Sequence, residues 1–144
     1  MNSGRVCWPA GVRWASRSGG SALPMPYVGF DPEWRPATTP PAFGELYARS
    51  RELDPRRTAA AAIAVERIPT VVLVAGGDDQ VWPSLRHAQA IGDRRAGSGL
   101  ATTIVTDPDA GHRTVLPGEQ VIDAGLPMQR GGTPEADRRL GELA

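Results

Sequence analysis

Two short polar clusters hold the residue types that do chemistry. Gly76-Gly77-Asp78-Asp79 offers a pair of carboxylates, and Asp107-Pro108-Asp109-Ala110-Gly111-His112 offers two more and an imidazole. A carboxylate that accepts a histidine's ring N–H fixes the tautomer and stabilises the cation, which leaves the second nitrogen free to act as a general base. The histidine loop also permits a different chemistry, because Asp107, Asp109 and His112 could ligate a metal ion. Three ligands on one flexible loop, without a supporting Cys or His from elsewhere, make a poor metal site. Asp78-Asp79 after glycines has a purely conformational use as well, since such residues build turns. His87, the second histidine, falls in a helical stretch and is expected on the surface.

The elements around these clusters give them a common place. Thr70-Val71-Val72-Leu73-Val74-Ala75 is a continuous β-branched run between Pro69 and Gly76-Gly77. That pattern suits a strand buried on both faces, as in a parallel sheet. Residues 84–96 read as a helix with Ser84 as its cap, Leu85, Ala88 and Ile91 on one face, and Gly97 and Gly99 after its end. Residues 101–106 read as the next strand. The result is a βαβ unit, and ligands and catalysis in parallel α/β sheets gather beyond the C-terminal strand ends. Both polar clusters lie there. An acid from one strand end and His112 from its neighbour can therefore meet.

Elsewhere the chain divides in two. Residues 1–41 form a Pro/Gly/Trp-rich extended segment with one short strand at 4–8, pinned by Trp8, Trp14, Tyr27, Phe30 and Trp34. Residues 42–53 read as a helix with Phe43, Leu46, Tyr47 and Leu53 as its apolar stripe. Asp54-Pro55 starts another helix, which the alanine run 59–62 extends until Ile68-Pro69 ends it. Thr133-Pro134-Glu135-Ala136 starts the last helix.

Composition narrows the functional classes. The 144 residues carry 16 basic and 16 acidic side chains and a net charge of zero. That balance argues against nucleic-acid binding and against a polybasic membrane surface. No apolar run approaches the roughly 18 residues of a membrane span. Every basic residue is arginine, so Schiff-base chemistry and a lysine phosphate clamp are excluded. One cysteine, Cys7, permits no internal disulfide and no Cys-rich zinc site, which makes a reducing cytoplasm the plain expectation.

The run from Val71 to Ser84, Val-Val-Leu-Val-Ala-Gly-Gly-Asp-Asp-Gln-Val-Trp-Pro-Ser, resembles the acid-bearing strand and loop of α/β-hydrolases. More narrowly it resembles the C-terminal domain shared by acyl-CoA thioesterases and bile acid-CoA:amino acid N-acyltransferase. The segment 107–112 is similar to that family's histidine loop, and Gly131-Gly132-Thr133-Pro134-Glu135-Ala136 to its late Gly-Gly-Thr-Pro segment. Residues 23–28 and 41–47 resemble the stretch before its acid strand. The resemblance implies Asp79 as triad acid and His112 as base, with Asp78 left to the turn backbone. It implies an acyl-CoA thioester substrate and no cofactor.

It also implies a nucleophile that this sequence does not show. The family's serine or cysteine sits in a G-x-S-x-G or G-x-C-x-G turn. Cys7 has Arg5 and Pro9 at the glycine positions, and Ser21 has Gly19 but Leu23. Where the family carries Pro-Tyr after the histidine, this chain reads Arg113-Thr114-Val115-Leu116-Pro117. The expectation is therefore α/β architecture, the C-terminal βαβ portion of a mainly parallel hydrolase sheet with flanking helices over 42–144. It would be truncated ahead of that region, hold the acid and base without the attacking atom, and be inactive alone. An open sheet edge would then invite a complementing chain or self-association. The alternatives are a non-catalytic binding remnant, or another α/β-hydrolase such as a dienelactone hydrolase or a peptidase.

Overall fold

The computed structural model describes residues 15–18, 21–24, 29–121 and 128–144, the first two segments as backbone only. The strand expected at 4–8 and Cys7 lie outside the described residues, as do Trp8, Trp14 and Tyr27. Strands β1 (Ala15–Ser18) and β2 (Ser21–Pro24) pair antiparallel. Within the expected extended segment, that hairpin went unforeseen, because no alternation of apolar residues marks it. Helices α1 (Gly44–Leu53) and α2 (Pro55–Ala60) follow, then a 3₁₀ turn at Val65–Arg67. Strand β3 (Val72–Gly76), helix α3 (Ser84–Ala96) and strand β4 (Thr103–Asp107) form the βαβ unit, and α4 (Pro134–Leu143) closes the described chain. No helix among the described residues is long and apolar enough to cross a membrane.

β3 and β4 pair in parallel, with Val72 opposite Thr103 and Gly76 opposite Asp107. Successive strand residues point to opposite faces. Ile104 lies against Gly92 of α3, whereas Val105 packs on Ala110, Ala136 and Leu140 on the α4 side. The two helices therefore cover opposite faces of a two-stranded sheet. Ala136 and Leu140 stand one helical turn apart, so α4 presents both to the same spot. Its start is as the sequence suggests: Thr133 Oγ1 accepts from Ala136 N at 3.2 Å, and Pro134 supplies the first turn.

Three expectations fail for identifiable reasons. β3 is not buried on both faces, since Val72 is 55% and Val74 39% exposed. Its run of β-branched residues fits a covered strand, but its edge opposite β4 has no partner among the described residues. The second helix, capped by Asp54 Oδ1 accepting from Arg57 N at 2.9 Å, ends at Ala60 instead of continuing to residue 68. Alanine propensity alone does not hold a helix, and α2 buries no residue. Ser84 does not cap α3, because its hydroxyl is used elsewhere.

The unexpected member of the core is Arg95, which is fully buried. Helical periodicity places it on the same face as Ala88 and Ile91. Its Nε donates to Thr102 Oγ1 at 2.8 Å, and its two terminal nitrogens donate to the carbonyls of Val65, Ile68, Pro69 and Ala101. Five N–H groups meet five oxygens, which satisfies the guanidinium without a carboxylate. These carbonyls belong to the segments entering β3 and β4. Two of them, from Val65 and Ile68, lie where the expected helix would have run. Arg95→Leu removes the guanidinium from all four carbonyls, of which Val65 O alone keeps a second donor in the Ile68 N–H, and is expected to cost about 3 kcal/mol or more, read as a lower urea midpoint. A loss below about 1 kcal/mol would show that the clasp is incidental.

Candidate active site

Because Gly76 and Asp107 are level in the sheet, the two polar clusters leave it side by side. Backbone bonds stitch them together at once: Gly77 N donates to Asp107 O and Asp78 N to Ala110 O, both at 2.9 Å. His112 Nδ1 then lies 3.0 Å from Asp79 Oδ2. A carboxylate can only accept, so Nδ1 carries a proton, and in the neutral imidazole Nε2 is the nitrogen with the free lone pair.

Asp79 is buried and held by four donors. Its side chain is 2% exposed, against 30% for His112. Oδ1 accepts from the backbone N–H groups of Val81 at 2.8 Å and Trp82 at 3.2 Å. Oδ2 accepts from the Ser84 hydroxyl in addition to His112. Four donors satisfy a buried anion that would otherwise be costly to desolvate. Sequence reasoning missed Ser84 here by reading it as a helix cap. It also missed Trp82, whose ring meets the His112 imidazole edge to face at 4.8 Å. Tyr47 meets Trp82 at 5.8 Å and Phe30 meets Tyr47 at 5.4 Å, so a file of aromatic rings runs away from the histidine. Trp82 and Phe30 are 41% and 48% exposed.

Asp78 takes the other role. Its Oδ2 accepts from Gly132 N at 2.8 Å and its Oδ1 from Gln80 Nε2 at 2.6 Å. Gly131 and Gly132 have φ of 69° and 66°, and the segment also supplies the Arg130 carbonyl that accepts from His112 N at 2.9 Å. A Cβ at Gly131 would collide with the Asp78 carbonyl, and one at Gly132 with the Gly111 backbone. The Gly-Gly segment thus lies directly on both loops that carry the pair.

The remaining candidates do not join it. Asp107 is tied to Arg139, at 3.0 and 3.3 Å, and accepts from Asp109 N. The Asp109 N–H first, and then Arg139, hold its carboxyl below the usual carboxylate range. Asp109 is exposed, and no group of three or more His, Cys, Asp or Glu converges among the described residues. His87 is not a surface residue but half-buried, with Nε2 closed off and unpartnered among the described residues. Burial, then Arg51 and Arg86, push its pKa down, while Asp79 opposes them. Among the described residues, no hydroxyl or thiol hydrogen-bonds to the His112 ring.

Residues 37–125 match the model of the BAAT / acyl-CoA thioester hydrolase C-terminal family. The chain belongs to this family. No curated protein and no solved structure matches it. The family match spans Asp79 and His112, whereas the Gly131-Gly132 segment lies beyond it. The file of aromatics from Tyr47 to His112 is inside it, and Phe30 is not.

Two outcomes test this geometry. Gly131→Ala forces a side chain into a left-handed turn, at about 1–2 kcal/mol before any collision, and pushes on the Asp78 carbonyl. It is expected to lower the urea midpoint and to shift the His112 ring signals in NMR spectra. Unchanged signals would show that the Gly-Gly segment does not position the pair. For His87, a folded pKa below the unfolded value of 6.5 means that the unfolded chain protonates first as pH falls. Stability that is complete above pH 6.5 is therefore lost progressively below it, down to the native pKa. His87→Gln is expected to flatten the change in urea midpoint between pH 7 and pH 5, and an identical slope in both proteins would discard the assignment.

Proposed function

We propose that Asp79 and His112 are the acid–base pair of an acyl-CoA thioester hydrolase site on a partial α/β-hydrolase fold. The observation that carries this reading is the 3.0 Å contact between His112 Nδ1 and a carboxylate already fixed by three other donors. It is supported by family membership over residues 37–125. In the proposed reaction His112 Nε2 removes the proton from a serine or cysteine, and that atom attacks the thioester carbonyl. Asp79 holds the imidazole in its tautomer and stabilises the imidazolium. The proton then passes to the departing thiolate of coenzyme A, and water, activated by the same nitrogen, releases the acyl group. The nucleophile comes from outside the described residues.

A second reading has two observations in its favour. With no hydroxyl or thiol bonded to His112 among the described residues, and with Val72 and Val74 exposed, the chain could serve as a non-catalytic module that associates through the β3 face.

A chimera separates the two. Residues 70–144 replace the corresponding segment of an active thioesterase of the same family, and acyl-CoA turnover is followed by thiol release. The chimera is expected to turn over, and Asp79→Asn and His112→Ala are each expected to lower kcat about 10⁴-fold. Turnover that survives both substitutions would reject the catalytic assignment and leave the module.

A further inference from the structure

The last turn of α1 and the first turn of α3 face one another across a cleft of about 300 Å³. Arg51 and Thr58 line it from one side, Arg86 and His87 from the other, and Glu52 lies at the same wall. A more open hollow of about 660 Å³ shares Arg51, Glu52 and Thr58 and continues to Arg94.

The charges in this groove are not equivalent. Arg94 is spent on Glu66 at 2.7 Å, just as Arg49 is spent on Asp31 and Arg139 on Asp107. The guanidiniums of Arg51 and Arg86 make no hydrogen bond or ion pair among the described residues. The Thr58 hydroxyl donates to the Arg51 carbonyl, which ties α2 to the end of α1 and fixes the wall from which Arg51 projects. His87 lines the same cleft, and burial first, then Arg51 and Arg86, push its pKa down and favour the neutral imidazole. Two unpaired guanidiniums beside a neutral imidazole make an anion-attracting hollow, and guanidinium is the side-chain group best matched to phosphate oxygens. The volume is at the lower end of the roughly 300–1,000 Å³ typical of small-molecule pockets. It suits a phosphate or diphosphate, with the shared hollow open to what the phosphates carry.

The position matters as much as the charge. Arg86 and His87 follow Ser84 on the same helix, and Ser84 bonds Asp79. The cleft is therefore lined by residues within one helical turn of the serine that bonds the acid.

We propose that the cleft between α1, α2 and α3 binds phosphate through Arg51 and Arg86, and that its ligand is the phosphate-bearing portion of a coenzyme A thioester. The second half rests on the thioester reading above, and the first half does not. Glu52 opposes the ligand's charge and keeps the site weak.

Calorimetric titration of the full chain at low salt tests both halves, with coenzyme A, pantetheine and pyrophosphate as probes. Coenzyme A is expected to bind more tightly than pyrophosphate, and pantetheine more weakly than either. Arg51→Gln and Arg86→Gln are each expected to weaken coenzyme A about tenfold or more, and Glu52→Gln to tighten it. All three side chains are exposed, so the variants should unfold at the wild-type urea midpoint. Coenzyme A binding that ignores both arginine substitutions overturns the cleft while leaving the thioester reading intact. Arginine-dependent pyrophosphate binding with no preference for coenzyme A upholds the phosphate site and removes the thioester as its ligand. Failure of both phosphate probes to bind overturns the proposal entirely.

Discussion

A carboxylate shut away from water has to be surrounded by donors, and Asp79 imposes that demand on everything near it. The donors are the N–H groups of Val81 and Trp82, the Ser84 hydroxyl and the His112 ring. Three of them lie within five residues, so the loop must curl around its own acid. The same curl leaves the Gln80 carbonyl pointing out to accept from Phe43 N and Gly44 N, which docks the start of α1. It turns the Trp82 ring against His112. One buried charge thereby sets the loop, the neighbouring helix and the orientation of the imidazole. Asp78, a single residue earlier, is used up in holding the Gly131-Gly132 segment and does not compete for the histidine.

What the sequence revealed follows from where local chemistry decides the structure. Asp54-Pro55 and Thr133-Pro134 start helices because cap and proline act within one turn. The βαβ unit is legible because a β-branched run, a helical stretch and a second run follow in order, and the meeting of Asp79 with His112 follows from neighbouring strand ends. The division of labour between Asp78 and Asp79 came from resemblance, since spacing treats the two alike. What stayed hidden depends on contacts distant in sequence. Nothing local says that Arg95 outweighs alanine propensity by gathering the carbonyls of Val65 and Ile68. Nothing local shows that Ser84 abandons its helix for a carboxylate, or that Val72 and Val74 stay uncovered. His87 was misread because a helix position alone does not tell which neighbours close over it.

Arg95 and Asp79 also answer each other across the sheet. Arg95 ties the residues just before β3 to those just before β4, through Pro69 and Ile68 on one side and Ala101 and Thr102 on the other. Asp79 and His112 join the segments just after the same two strands. A parallel pair that slips by one residue turns every side chain to the wrong face. Here such a slip would also move Gly76 out of line with Asp107 and carry the acid away from the histidine. With only two strands in the described sheet and a small core of Ala110, Ala136, Leu140 and Val105, packing alone gives little protection against that slip. A guanidinium that must find five oxygens at once gives much more, because a shift of either strand entrance leaves several buried groups unpaired. The register needed for the contact between Asp79 and His112 at one end of the sheet is thus enforced at the other end by the buried Arg95 guanidinium.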